Sequence, residues 1–144
     1  EGWHNHPDAS LVAMDAELGV CYGVFRGTNE EDYFKNVDSD WAPKWASYEM
    51  TADWKQNFSP KLEVVKGCTV RKGYYNGLYN SYFSEFEASL MRCMTVHCPG
   101  CRMILSGHSQ GGGIAVVAAI LYARFNPTVI TFGAPKAVYM HLPP

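Results

Sequence analysis

The chain lacks three features that would place it outside the ordinary globular proteins. Its longest apolar run, 114–123, has ten residues, and a membrane-spanning helix needs about twice that number. It has no block of like charge, and its net charge is -2 at pH 7, which argues against a nucleic-acid partner and a polybasic membrane anchor. Internal repeats and low-complexity tracts are also absent. With 47% hydrophobic residues, residues 1–144 are enough for a single domain with its own core.

Cysteine is present in an odd number, and this leaves its chemistry open. Of five cysteines, at least one is free or has its partner outside the chain. Cys98 and Cys101 form a CxxC pair, and Cys93 and His97 come just before it. Three interpretations fit this spacing: disulfides of an exported protein, a Zn²⁺ site, and a reactive redox pair. Disulfides are the prediction, and they favour a secreted protein or one in the endomembrane lumen.

Hydrophobic patterning predicts an α/β domain. Apolar residues at helical spacing predict one helix over about 76–94 and a second over about 110–125. Residues 28–60 are polar with scattered aromatics and read as a long irregular connection. The order helix, strand, helix, strand in the second half predicts a mostly parallel sheet flanked by helices. The predicted strands are 11–15, 20–25, 61–65, 103–106 and 128–132.

A serine at a sharp turn is the strongest chemical signal in the sequence. Residues 107–111 read Gly-His-Ser-Gln-Gly and match the G-x-S-x-G nucleophile elbow, between a predicted strand and a predicted helix. The reversal takes about two residues, which would strain Ser109 and leave no room for side chains at Gly107 and Gly111. The Ser109 hydroxyl would then lie at a helix N-terminus, where the Gln110 N–H is the natural first oxyanion donor. The alternative is a chance match within a glycine-rich turn.

Five short motifs lie in a set order along the chain, and together they resemble the class 3 lipases, the fungal-type triacylglycerol lipase family. The motifs are FRGT (25–28), DWKQNF (53–58), VRKGYYNGLY (70–79), GHSQGG (107–112) and TFGAPK (131–136). The resemblance runs over about residues 20–136. It implies a partial α/β-hydrolase fold with no metal and no organic cofactor. It also implies an ester substrate, with lipid esters leading and feruloyl or other carboxyl esters still open.

The resemblance implies roles for individual residues. Ser109 would be the nucleophile, and the backbone N–H groups of Thr28 and Gln110 would form the oxyanion hole. In many members of the family the hydroxyl at the position of Thr28 also stabilises the oxyanion. His108 would be a structural member of the elbow and not the general base.

In the family's lipases a lid follows the first motif. Here Tyr33, Val37, Trp41 and Trp45 recur at every fourth position. On a helix they would form an apolar stripe suited to transient contact with a lipid interface. The alternative is that these side chains pack on the domain, and Pro43 argues against one continuous helix.

The sequence does not supply a complete catalytic triad. A serine hydroxyl needs a histidine base, and that histidine needs a carboxylate. No Asp or Glu follows Ser109. The only later histidine, His141, is a possible base, although it comes too soon after Gly133 to match the family's histidine. A truncated protein is therefore expected, without the C-terminal part of the domain. The first residue is Glu1 and not Met, which fits either a removed leader or a piece of a longer chain. The alternative is a lipase-like remnant that binds lipid or a partner protein, and the oligomeric state is left open.

Overall fold

The computed structural model describes residues 10–27, 61–80 and 83–139. The helices in these ranges are α1 (Lys72–Asn80), α2 (Phe83–Arg92) and α3 (Gln110–Leu121), with a π-helical turn (Cys93–His97) after α2 and a 3-10 turn (Ala123–Phe125) after α3. The strands are β1 (Ser10–Asp15), β2 (Val20–Phe25), β3 (Leu62–Val65), β4 (Cys68–Arg71), β5 (Arg102–His108), β6 (Thr128–Phe132) and β7 (Val138–Tyr139).

The main sheet has the strand order β1-β2-β5-β6. β1 and β2 are antiparallel, and the turn between them is closed by the Asp15 carboxylate, which accepts a hydrogen bond from the Leu18 N–H at 2.9 Å. β2 with β5, and β5 with β6, are parallel. The predicted mostly parallel arrangement is therefore confirmed. The carboxyl ends of β2, β5 and β6 meet at one edge, where α/β sheets usually bind their ligands.

A second, smaller sheet was not predicted from the sequence. It is antiparallel and has the order β3-β4-β7. β3 corresponds to the strand predicted at 61–65, but β4 and β7 contain only four and two residues. A two-residue strand such as β7 shows no alternation, so sequence periodicity cannot identify it.

The single helix predicted over about 76–94 is wrong in both its start and its continuity. α1 begins four residues earlier, at Lys72, and ends at Asn80; α2 begins at Phe83 and is followed by the π-helical turn. Two consecutive helices that bury their apolar faces in one core can produce one continuous helical pattern. The second predicted helix is confirmed as α3, and it ends at Leu121, before the 3-10 turn.

The core lies between the helices and one face of the main sheet. α2 contacts that face through Phe86, whose ring centroid is 4.8 Å from that of Phe25 in β2. α3 approaches the same face at the carboxyl end of β5 and β6. On the other face of β6, Ile130 and Phe132 are 44% and 60% exposed among the described residues. The core residues with no exposed surface are Cys21, Val70, Tyr74, Leu90, Leu105, Ala115, Val117 and Ala118.

The cysteines of the described ranges form two disulfides and leave Cys68 free. Cys21–Cys93 joins residues 72 apart in sequence, whereas Cys98–Cys101 joins residues three apart. The predicted disulfides are thus confirmed, and the zinc alternative is wrong for this cluster because disulfide sulfurs are not thiolate ligands. In the chain-entropy model, a disulfide stabilises the fold by lowering the entropy of the unfolded chain. The long link contributes about 4 kcal/mol in this way and the short link about 2 kcal/mol. No helix within the described ranges is long and apolar enough to cross a membrane.

Tyr122, directly after α3, is expected to make the domain less stable at alkaline pH. Its side chain is buried, and burial raises the pKa of its phenol above the usual value of 10.0, with a smaller contribution from the Glu87 carboxylate. Because the pKa of Tyr122 is higher in the folded state than in the unfolded state, ionisation of this phenol leaves the free energy of unfolding unchanged below pH 10.0. Above that pH it lowers the free energy of unfolding.

We therefore expect Tyr122→Phe to weaken the loss of stability above pH 10.0. The measurement is the free energy of urea unfolding of wild type and variant at about pH 8 and about pH 11. An equal decline in both proteins would show that this phenol is not the group that titrates.

Candidate active site

Ser109 is the single residue between the end of β5 and the start of α3. Its φ is 51° and its ψ is -122°, a combination that non-glycine residues rarely adopt and that costs about 1–3 kcal/mol. Hydrogen bonds on both sides hold this conformation. The Ser109 N–H donates to the Phe132 carbonyl at 2.9 Å, and the Ser109 carbonyl accepts from the N–H groups of Gly112 and Gly113 at 3.0 and 3.3 Å. The predicted strand, strained turn and helix are therefore present.

The two elbow glycines are required by contacts with backbone atoms. A Cβ added to Gly107 would lie 2.7 Å from the nitrogen of Gly112 and still closer to Gly111. A Cβ added to Gly111 would lie 2.5 Å from the carbonyl oxygen of Arg26. Distances under 3.0 Å are essentially never seen for a real Cβ, so a side chain at either position would force the backbone to move.

The segment that follows β2 begins beside the elbow. Phe25 pairs with Gly107 in the parallel ladder between β2 and β5. Gly111, in the first turn of α3, abuts the carbonyl groups of Phe25 and Arg26. Gly27 faces His108, because a Cβ there would lie 2.9 Å from the His108 carbonyl oxygen. Residues 25–27 therefore lie against the strand-to-helix turn that contains Ser109.

His108 is an exposed residue at the carboxyl end of β5, where it pairs with Phe132 of β6. Its imidazole lies between two loops. Nδ1 is 3.5 Å from the Cβ position of Gly27, and Nε2 is 3.7 Å from that of Gly133. The side chain therefore occupies the space between the segments that follow β2 and β6.

Three consecutive glycines, 111–113, let the first turn of α3 approach its surroundings closely, and each glycine has a different neighbour. Gly111 meets the backbone of β2, and a Cβ on Gly112 would lie 2.6 Å from Cβ of Ala134, beyond β6. Gly113 faces the buried ring of Tyr74, which a Cβ would approach to 3.1 Å. Burial raises the pKa of Tyr74, and the nearby charge of Arg71 opposes that rise. The sequence could not identify these neighbours, because none of them is adjacent in the chain.

Arg71 and Lys136 both contact the side chain of Tyr139, beside the loop that follows β6. The Arg71 Nε donates to the Tyr139 hydroxyl at 2.9 Å, and the Lys136 Nζ lies 4.6 Å from the centroid of the Tyr139 ring. The Arg71 N–H also donates to the Ala137 carbonyl at 2.9 Å. Cation–π and backbone contacts thus connect β4 to the loop that carries Ala134 against α3. Sequence reasoning missed this cluster because it did not predict β7.

Several residues predicted to belong to the site lie outside the described residues. Thr28 is the first of them and directly follows Gly27. His141 and the four residues of the predicted lid stripe, at 33, 37, 41 and 45, are the others. Of the predicted site residues, the structure therefore brings together Ser109, Gln110 and the elbow residues 107, 108 and 111. Within the described ranges, no group of three or more His, Cys, Asp or Glu side chains could hold a metal ion.

The chain is similar in sequence to known fungal lipases. Lipases of Rhizopus niveus and Rhizopus oryzae are each 30% identical to it over 127 residues. The match covers 81% of this chain, and the chain spans 27% of the length of each of these lipases.

The fold is similar to that of a solved lipase. The triacylglyceride lipase of Rhizomucor miehei superposes with a TM-score of 0.64 at 21% identity, covering 91% of this chain and 45% of that one. This likeness identifies the sheet and its helices as a partial α/β-hydrolase fold. The sequence model of the family described as Lipase (class 3) matches residues 22–142, which includes the elbow and all three parallel strands apart from the first two residues of β2. The chain therefore belongs to the class 3 lipase family.

Proposed function

We propose that the protein is a carboxylic ester hydrolase that acts on lipid esters, acylglycerols foremost, with Ser109 as its nucleophile. The observation that carries the proposal is the strained backbone of Ser109, at φ 51° and ψ -122°, between a parallel strand and a helix. This is the arrangement that presents a serine hydroxyl at the carboxyl edge of an α/β-hydrolase sheet. Membership of a lipase family supports an acyl ester as the substrate.

In this mechanism Ser109 Oγ attacks the ester carbonyl carbon and loses its proton to a histidine base. The C–O bond to the alcohol then breaks, the alcohol leaves with that proton, and the acyl group stays on Ser109. Water attacks the acyl-enzyme in the same way and releases the carboxylic acid. The mechanism also needs a histidine base and a carboxylate that orients it. Within residues 110–144, His141 is the one histidine, and there is no Asp or Glu.

The tetrahedral oxyanion is proposed to be stabilised by two backbone N–H groups, those of Gln110 and Thr28. Gln110 is the first residue of α3, and the helix dipole favours negative charge at this end of the helix. Thr28 directly follows the segment that packs on the elbow at Gly27 and Gly111. Removing one donor of such a pair typically costs about 3–4 kcal/mol of transition-state stabilisation.

Two further features of the proposal concern the surroundings of the enzyme. The two disulfides favour an oxidising compartment, such as the secretory route or the outside of the cell. The apolar residues at 33, 37, 41 and 45 are proposed as a lid stripe that touches the lipid interface when the site opens.

The nucleophile is tested with a fluorophosphonate probe, which forms a covalent adduct with activated serines. We expect full-length wild-type protein to be labelled and Ser109→Ala to lose all labelling, because no other hydroxyl occupies the elbow. The matched control is Ser89→Ala, which removes an exposed hydroxyl in α2 and should leave labelling unchanged. Hydrolysis of glycerol esters and of feruloyl esters by the same preparations then distinguishes the two substrate classes.

A folded full-length protein without Ser109-dependent labelling would remove the hydrolase proposal. That result would favour the second candidate function, a lipase-like domain that binds lipid or a partner protein without catalysis. Circular dichroism of each variant checks that it is folded before its labelling is compared.

A further inference from the structure

The CxxC segment is a β-turn that has a backbone hydrogen bond in addition to its disulfide. The Cys101 N–H donates to the Cys98 carbonyl at 3.0 Å, and Gly100 has a φ of 87°. A type II turn needs a positive φ at its third residue, which glycine supplies, and it favours proline at its second, which is Pro99. The residues of this turn therefore favour the same backbone conformation when the disulfide is open.

The two disulfides differ in the access that they give to an attacking thiol. Cys21 and Cys93 are 0% and 4% exposed and belong to the core between β2 and the end of α2. Cys98 is partly exposed, whereas Cys101 is 9% exposed. Thiol–disulfide exchange requires a thiolate to reach one sulfur along the S–S bond. Of the four disulfide-bonded cysteines in the described part of the chain, Cys98 is the most exposed residue.

Opening the short disulfide would change the structure only locally. Cys101 is followed by β5, which pairs with β2 over 20–25 and with β6 over 128–132. The Arg102 N–H donates to the Gly19 carbonyl at 2.9 Å, so the first residue of β5 is held without help from sulfur. The Cys21–Cys93 link also remains, and it anchors β2 to the π-helical turn that precedes Cys98.

From the turn, the exposure and the local anchoring, we infer that Cys98–Cys101 is a redox-active disulfide that exchanges with small thiols of the glutathione type. The external thiolate attacks Cys98 Sγ, the Cys98–Cys101 bond breaks, and Cys101 leaves as a thiolate that takes a proton from solvent. A second thiol attacks the mixed disulfide, which releases the Cys98 thiol and forms the disulfide of the small molecule. Two thiols are oxidised, and one protein disulfide is reduced.

This site is separate from the proposed hydrolase site. Cys101 precedes the first residue of β5 and Ser109 follows its last, so the two sites lie at opposite ends of one strand. The test of exchange at Cys98 is therefore independent of whether Ser109 is active.

The test is equilibration of the full-length protein in glutathione buffers of increasing reducing power, followed by acid quenching, alkylation and peptide mass analysis. A Cys68→Ser background removes the free thiol of β4. We expect Cys98 and Cys101 to be alkylated together at a reducing power at least about tenfold lower than the one that opens Cys21–Cys93. Simultaneous opening of both disulfides, or earlier opening of Cys21–Cys93, would overturn the inference.

Single variants identify the sulfur that is attacked. In Cys101→Ser the remaining Cys98 thiol is expected to form a mixed disulfide with oxidised glutathione at least about ten times faster than Cys101 does in Cys98→Ser. Equal rates, or a faster reaction of Cys101, would contradict the assignment. A disulfide that holds structure beyond its own turn would alter far-UV circular dichroism when it opens, and we expect that spectrum to remain unchanged.

Discussion

Replacing Gly111 with alanine is expected to lower the free energy of unfolding by about 3 kcal/mol or more. The added Cβ would lie 2.5 Å from the Arg26 carbonyl oxygen and 2.7 Å from its carbonyl carbon, and both are backbone atoms that cannot rotate away. α3 would have to withdraw from β2, and the same helix packs on β5 and β6. The change in stability is measured by urea unfolding followed by circular dichroism.

The matched control for this substitution is Gly67→Ala. Gly67 has a φ of 80°, and a Cβ there would meet no heavy atom within 4 Å. Its replacement therefore carries only the cost of the left-handed conformation, about 1–2 kcal/mol. If Gly111→Ala destabilised the protein no more than Gly67→Ala, the close contact between α3 and the end of β2 would be wrong. A folded Gly111→Ala protein that retained full labelling of Ser109 would show that the elbow tolerates displacement of residues 25–27.

The elbow could be predicted from the sequence because its causes are local. A strand, a strained serine and a helix occupy consecutive residues, and the glycines at 107 and 111 follow from the tight reversal. β5 and β6 were likewise recognised, because each is an apolar segment bounded by turn residues. In such segments the structure is determined by the same neighbouring residues whose apolar pattern is visible in the sequence.

The parts of the fold that were missed depend on distant pairing. β7 is a two-residue strand that exists through its pairing with Thr69 and Val70 of β4. The Cys21–Cys93 link joins residues 72 apart, and spacing alone does not fix which of five cysteines pair. The boundary between α1 and α2 was missed for a related reason, since both helices bury residues in one core and periodicity does not show where one helix ends.

The approach of the 25–27 segment to Ser109 depends both on local residues and on pairing between distant strands. The sequence suggested it only through resemblance to a family, because nothing local in residues 25–28 distinguishes an oxyanion loop from an ordinary turn. The physical cause is the parallel pairing of β2 with β5, which brings Phe25 opposite Gly107. The side-chain-free Cα of Gly111 then lets α3 pack onto the carbonyls at the end of β2.

Removing the long disulfide with the double substitution Cys21→Ala and Cys93→Ala is expected to lower the free energy of unfolding by about 4 kcal/mol. Both positions are buried, and alanine is apolar, so the substitution leaves no unpaired polar group there. The main effect is therefore that the unfolded chain regains the entropy that the disulfide had removed. The matched control, Cys98→Ala with Cys101→Ala, removes a link between residues three apart and is expected to cost about half as much. Urea unfolding of both proteins under non-reducing conditions gives the comparison. An equal or larger loss in the control would mean that the CxxC link holds structure beyond its own turn, and it would contradict the local role that the hydrogen bonds of Cys101 and Arg102 assign to it.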